Sequence, residues 1–276
     1  MPRLDLELVL RGLARSRTHA AKLIADGAVR VDGTTVARAA APVGDAAAIQ
    51  VEATEHDRYV SRAGHKLAGA LAAFPAIDAK GARCLDAGAS TGGFTDVLLQ
   101  CGAAEVVAVD VGHGQLVDSL RADPRVRVQE GLNVRELSPS DIGGTVALTV
   151  ADLSFISLTL VLRPLAACTS PGGDLLVMVK PQFEVGRERL AKSGVVSSDS
   201  ERRRAVTGVA EAAAGARLTL RGLIVSPLPG QDGNLEYFLW LGRPTGPGTH
   251  PAPTVAEASW WVAASWPAPD PKEAPA

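Results

Sequence analysis

The stretch CLDAGASTGGF, Cys84 to Phe94, decides how the chain is read. An apolar strand ends in an acid, Asp86. A glycine-rich turn (Gly88, Gly92, Gly93) follows and opens onto an apolar helical pattern, Phe94, Val97, Leu98 and Leu99. This is the βα turn of a nucleotide-binding α/β sheet, where glycine lets the backbone approach a ligand and take conformations other residues resist. The spacing is not the G-x-G-x-x-G of a dinucleotide site, and the lysine of a phosphate-cradling loop is missing. Asp86 on the strand side disfavours a polyphosphate and suits a cofactor with a cationic amino-acid tail. A second apolar strand, Val106 to Val109, ends at Asp110, 24 residues further on, where a carboxylate can accept ribose hydroxyls. The two acids favour S-adenosylmethionine over NAD, held by Asp86, Gly88, Ser90, Thr91, Gly92, Phe94 and Asp110. Gly112 to Gln115 would border the adenosine, with His113 read as a surface-loop histidine.

Strand and helix patterns alternate from this turn to about position 242, which implies a parallel or mostly parallel α/β sheet. Such sheets build sites at the carboxyl ends of their strands, and four charged residues stand at such places. Lys66 precedes the first strand, Asp152 closes Val146–Ala151, Lys180 closes the apolar Leu175–Val179, and Glu236 lies in DGNLEYF. Singly, Lys180 could be a strand-end lysine reaching solvent beside a carboxylate, and Asp152 a capping residue. A charge at a buried strand end is costly unless paired, so two lysines and two acids together point to a site. Removing the proton of a neutral hydroxyl during methyl transfer calls for a lysine acting as base or oxyanion stabiliser, with carboxylates orienting it. A metal is not required, and no His, Cys or Asp cluster has metal-ligand spacing.

Residues 1 to about 55 read as a separate unit of helix, helix and hairpin. Leu4, Leu8, Val9, Leu10 and Leu13 make an approximate helical stripe, Ser16 can cap a second helix ending at Asp26-Gly27, and Asp32-Gly33 signals a tight turn. Arg11, Arg15, Arg17 and Lys22 gather here, with Arg3 nearby. They form either a phosphate-binding face or a solvated helix face. The segment RGLARSRTHAAKLIADGAVRVDG resembles the S4 RNA-binding domain, which implies binding of structured RNA by shape and backbone charge. A linker at 56–61 joins this unit to an α/β domain at 62–242. The tail at 243–276 is Pro- and Ala-rich, with a helical stretch from Ala256 to Trp266.

Composition fits this plan. The 276 residues are 46% hydrophobic and 21% charged, with a formal net charge of -2, so a nucleic-acid surface must be a local patch. Cys84, Cys101 and Cys168 are few, scattered and set among apolar residues, which reads as buried free thiols in a reducing compartment. The N-terminus has no apolar signal region and no apolar run is long enough for a membrane span, so a soluble cytoplasmic protein is expected.

From Arg3 to about Gly242 the chain resembles the TlyA family, bacterial ribosomal RNA cytidine 2′-O-methyltransferases once labelled haemolysins. The motifs YVSRAGHKL, CLDAGASTGGFTDVLL, VADLSFISL, VKPQFEVG and SPLPGQDGNLEYFLW carry the likeness in family order. The resemblance implies a Rossmann-like class I methyltransferase domain of the FtsJ-like kind, with a small α+β S4-like domain before it. It also implies a Lys66, Asp152, Lys180, Glu236 tetrad, Asp110 on the cofactor ribose, and Asp152 beside the adenine or methyl. Ribosomal RNA in 30S and/or 50S subunits is the implied partner, with no membrane and no obligate protein partner. Some actinobacterial members carry an Arg-x-Trp-Val linker; here Asp57-Arg58-Tyr59-Val60 keeps an aromatic and displaces the arginine by one. A membrane-active haemolysin is disfavoured by the missing span and the lack of a strongly basic amphipathic helix. A non-catalytic RNA-binding factor is disfavoured by the retained tetrad and cofactor acids. A base methyltransferase would favour Asn/Asp-Pro-Pro-aromatic where this chain reads Asp152-Leu153-Ser154-Phe155.

Overall fold

The structure is a computed structural model that describes residues 1–14, 16–52, 58–186, 188, 190, 193–230, 232–246 and 253–267. The chain divides into two units, Met1–Arg58 and Tyr59–Ala276. In the first, α1 (Leu4–Leu10) and α2 (Arg17–Ala25) bury Leu4, Leu8, Ala20, Leu23 and Ile24 beside Val29. Ser16 accepts from the His19 amide and caps α2 as its sequence position suggested. Asp32 (φ 49) and Gly33 (φ 79) both take the left-handed region, which lets a two-residue turn join β1 (Val29–Val31) to β2 (Thr34–Thr35). A third strand, β3 (Ile49–Val51), pairs with the other edge of β1 and was not read from the sequence. The expected apolar stripe is shorter than proposed. Leu10, the last residue of α1, is 77% exposed, and Leu13, beyond Gly12 (φ 70) and outside the helix, is 36% exposed.

The second unit is a seven-stranded sheet between two helical layers. Its strands are β4 (Arg83–Ala87), β5 (Glu105–Asp110), β6 (Val126–Glu130), β7 (Val146–Ala151), β8 (Thr169–Val179), β9 (Thr219–Val225) and β10 (Tyr237–Gly242). The order is β6-β5-β4-β7-β8-β10-β9, parallel from β6 to β8, with β10 inserted antiparallel between β8 and β9. The chain leaves β4 in one direction for β5 and β6 and returns on the other side as β7. The carboxyl end of β4 is therefore the switch point where such sheets open a crevice.

Alternation along the strands divides the core. Leu176 and Met178 of β8 face the layer holding α3 (Arg62–Ala73) and α4 (Gly93–Gln100). Leu175, Val177 and Val179 face α6 (Leu162–Cys168) and α8 (Asp199–Gly215). Two short helices, α5 (Asp118–Arg121) and α7 (Pro181–Glu184), follow β5 and β8. The last helix, α9 (Val255–Ser265), opens with a Thr254–Glu257 capping box and buries Ala258 and Val262 in the same core as α8. Trp266 continues that packing, its ring 5.1 Å from Tyr237 and its N–H donating to Asp199 at 3.2 Å. This part of the tail is thus integral to the second unit.

Two further sequence readings change. Tyr59, assigned to the linker, is 5% exposed and packs with Leu67 and Phe94, so the linker's last residues belong to the second unit. Asp57 lies outside the described residues. Cys84 and Cys168 are buried, whereas Cys101, just past α4, is exposed. Among the described residues no helix is long and apolar enough to cross a membrane.

The contact of α3 with α4 rests on glycine. A Cβ on Gly64 would lie 2.5 Å from the Tyr59 Cβ and 3.1 Å from the Gly93 carbonyl oxygen. Gly208, inside α8, has nothing within 4 Å of its ideal Cβ. Gly64→Ala should therefore cost about 1–3 kcal/mol through overpacking, while Gly208→Ala should gain roughly 0.5–1 kcal/mol by restricting the unfolded chain. Urea unfolding of both variants checks this, and equal shifts would contradict it.

Candidate active site

The loop after β4 is shaped by the protein's own packing. Gly88 (φ 86) brings it against β7, where a Cβ would stand 2.8 Å from the Asp152 carbonyl oxygen. Gly92 (φ 97) caps α4, and a Cβ there would collide with Leu116 and Leu120. Asp110 holds the loop from β5: its Oδ2 accepts from the Ser90 amide at 2.8 Å and its Oδ1 from the Gly112 amide at 2.7 Å. Each oxygen keeps one lone pair for a ligand. The loop borders a hollow of about 150 Å³ lined by Gly88, Ser90, Thr91 and Phe94, with Asp152 and Lys180 across it.

Asp86 is fully buried at the end of β4. Thr95 Oγ1 donates to its Oδ2 at 2.7 Å, while Oδ1 has no hydrogen-bond partner among the described residues. Burial pushes its carboxyl up to about 7 against the lowering effect of Thr95, and the charges of Asp152 and Asp110 add to the rise. Three carboxylates converging on one loop suit a cationic ligand, whose charge would relieve their repulsion. The residues therefore fit the sulfonium and amino-acid tail of S-adenosylmethionine. Gly88, Ser90, Thr91 and Phe94, expected from the sequence to hold the cofactor, line this hollow with Asp152; Asp110 holds the loop by its Ser90 amide, Gly92 caps α4, and Asp86 lies buried at the end of β4.

The four strand-end charges form two ion pairs. Lys66, on α3, donates from Nζ to Glu236 Oε2 at 2.6 Å, with side chains 9% and 3% exposed. Lys180 Nζ, at the end of β8, lies 2.6 Å from Asp152 Oδ1, at the end of β7, and donates to Ser154 Oγ at 2.9 Å. Both lysines and Glu236 line a second cleft of about 910 Å³, together with Arg62, Phe155 and Phe183. Ala63, Ser154 and Lys180 border both spaces, so the hollow and the cleft meet at the Lys180 ammonium.

Several residues in or beside the cleft are not singled out by the sequence. Phe155 is 92% exposed, has a left-handed backbone (φ 64), and lies 5.2 Å from the Phe183 ring. Glu184 accepts from Ser157 Oγ at 2.5 Å and from the Leu158 amide at 2.8 Å, and burial raises its carboxyl. The motifs VADLSFISL and VKPQFEVG contain these residues, but their mutual contacts depend on β7 and β8 lying side by side.

The basic residues of the first unit divide by use. Arg3 and Arg17 both donate to Asp5, which is held down at about 2, first by the Arg3 hydrogen bond, yet their side chains stay 49% and 58% exposed. Lys22 is exposed. Arg11 donates to Glu7 and to the Ala47, Gly44 and Asp45 carbonyls, so it braces the fold and offers RNA little beyond its charge. Arg15 lies outside the described residues. Among the described residues no group of three or more His, Cys, Asp or Glu is placed to hold a metal ion.

An acid whose folded value exceeds its unfolded one binds more protons when folded. The Asp86 contribution to stability should thus fall as pH rises from about 3.8 to about 7 and stay level above. Relative to Asp86→Asn, the ligand-free protein should lose roughly 4 kcal/mol across that window. Urea midpoints of the two proteins over a pH series read this directly; parallel profiles would contradict the assignment.

Residues 59–243 match the FtsJ-like methyltransferase family, and residues 2–47 match the S4 domain. Over 243 residues the chain is 55% identical to the 16S/23S rRNA (cytidine-2'-O)-methyltransferase TlyA of Mycobacterium tuberculosis, covering 88% of this chain and 90% of that one. It is 36% identical over 237 residues to Hemolysin A of Brachyspira hyodysenteriae, covering 86% and 98%. A solved structure described as "Putative hemolysin from Streptococcus thermophilus" matches with a TM-score of 0.69 and 36% identity, over 95% of this chain and 96% of that one. The glycine loop, the convergent acids and these matches lead to one assignment: the chain is a TlyA-type, S4-bearing member of the FtsJ-like family of S-adenosylmethionine-dependent methyltransferases.

Proposed function

We propose that the protein methylates the ribose 2′-hydroxyl of cytidines in ribosomal RNA, on 30S and 50S subunits. The observation that carries this reading is the place of Lys180, at the junction of the cofactor-sized hollow and the larger cleft. The name of the 55%-identical relative supports the RNA class, the cytidine and both subunits. S-adenosylmethionine, when bound by the Gly88–Phe94 loop with Asp110 and Asp152, supplies a methyl group on a cationic sulfur.

The chain's own residues do the rest. A ribose at the junction presents its 2′-oxygen to Lys180 Nζ, whose hydrogen bond orients a lone pair toward the hollow and stabilises charge as the O–C bond forms. Asp152 keeps that ammonium in place from 2.6 Å. The hydroxyl proton leaves to water in the open cleft. Lys66 and Glu236, paired at 2.6 Å, present fixed donors and acceptors on the far wall, where they hold the ribose. In the first unit, exposed Arg3, Arg17 and Lys22 provide phosphate contacts for docking on structured RNA.

Methyl-labelled cofactor, unmodified 30S and 50S subunits and alkaline digestion test the acceptor atom. Alkali needs a free 2′-hydroxyl, so a 2′-O-methyl label stays in an uncut dinucleotide, whereas a base methyl is released in mononucleotides. Dinucleotide label from wild-type protein, reduced at least roughly 1000-fold in Lys180→Ala, is the expected result. Mononucleotide label would overturn the proposal. Arg17→Ala with Lys22→Ala should weaken subunit binding and lower the slope of log affinity against log salt by about two, with cofactor affinity unchanged. An unaltered slope would remove these residues from the docking face.

A further inference from the structure

The tetrad leaves Lys180 under-determined. A tetrahedral ammonium on a flexible four-carbon stem has three donor positions. Asp152 Oδ1 lies 2.6 Å away but outside hydrogen-bonding geometry, so this ion pair holds the charge without aiming an N–H. The directional contact is the hydrogen bond to Ser154 Oγ at 2.9 Å, which aims one donor and restricts the sweep of the others. Lys180 and Ser154 both border the hollow and the cleft, so the ammonium stands beside the space where the two join.

We propose that Ser154 is a positioning residue for methyl transfer: while the Asp152 charge keeps the Lys180 ammonium in place, the hydrogen bond to Ser154 orients it so that a free N–H faces the acceptor oxygen. The inference rests on the 2′-O-methyltransferase reading of the site. The segment bearing Ser154 is held accordingly. At its start the Asp152 amide donates to the Ala87 carbonyl at 3.1 Å, which ties it to the end of β4. At its end Ser157 and Leu158 are gripped by the half-buried Glu184 carboxyl. Between these anchors Phe155 takes a left-handed backbone, a conformation that costs a non-glycine residue free energy and persists only when the surroundings impose it. That turn follows directly after Ser154 and separates a side chain bonded inward to Lys180 from one that is 92% exposed. Ser154 accepts from Lys180, and so its own O–H remains free to donate at the same junction.

The test compares wild type, Ser154→Ala and Ser154→Thr in steady-state transfer to purified subunits, with thermal unfolding as a check on the fold. Ser154→Ala should lower kcat roughly 10- to 100-fold while KM for the subunit changes less than about threefold, because orientation is lost and docking is not. Ser154→Thr, which keeps the hydroxyl, should recover most of kcat. A loss in Ser154→Ala that appears equally in Ser154→Thr, or that appears in KM alone, would overturn the inference, as would unchanged kcat in Ser154→Ala. If wild type places its label in mononucleotides or in no RNA, the 2′-O reading fails and this inference falls with it. Dinucleotide label from wild type beside an indifferent Ser154→Ala would overturn the Ser154 role alone.

Discussion

A charge at the edge of a dry sheet must find a partner, and the second unit is arranged around that requirement. Five ionisable groups, Asp86, Asp152, Lys180, Lys66 and Glu236, meet at the carboxyl ends of β4, β7 and β8 or beside them. Each is expensive to bury alone. Lys180 and Asp152 can pair because β7 and β8 are neighbours in the parallel part of the sheet and end at the same level. Lys66 and Glu236 can pair because α3 is pressed against α4 through Gly64 and Gly93 while β10 is paired against β8. Asp86 alone has no cation, and its raised carboxyl value records that deficit. The charge pattern is thus both the constraint on the fold and the reason the site attracts a cationic cofactor.

Much of this was legible in the sequence. The acid, glycine and apolar periods around Cys84–Phe94 encode a strand, a turn and a helix locally, so the cofactor loop could be read without tertiary information. The strand-end positions of Asp152 and Lys180 were equally visible, because an apolar run that stops at a charge marks where the sheet stops. The pairing of those charges was not visible. Nothing local says that Lys66 meets Glu236, 170 residues away, or that Ser154 lies within reach of Lys180. The weak β3 strand escaped notice because three residues are too short to show a period. Leu13 was misplaced because α1 ends before Gly12, and Leu10 because, two residues past the buried Leu8, it falls off the Leu4–Leu8 face of the helix.

The loop glycines show how one residue type answers two demands. Sequence reasoning assigned them to ligand approach, yet Gly88 is also required by the carbonyl of Asp152, and Gly92 by Leu116 and Leu120. The same residues that let the backbone come near a cofactor also set the spacing between β4 and β7, and so the width of the hollow. Arg11 makes a parallel point in the first unit: a basic residue in an RNA-binding pattern, with its donors taken up by the Ala47, Gly44 and Asp45 carbonyls.

The antiparallel insertion of β10 carries a consequence for how the protein is made. Its neighbours β8 and β9 both precede it in the chain, so until Tyr237–Gly242 has emerged each presents an unsatisfied backbone edge toward the other. A growing chain therefore carries exposed pairing edges from Thr219 until Gly242 has emerged, the condition under which nascent sheets recruit the wrong partner. Glu236 stands directly before that strand, so the carboxylate that neutralises Lys66 arrives with the segment that closes the sheet. Completion of the sheet and completion of the charge balance thus depend on the same segment, and a chain that stops short of Glu236 has neither.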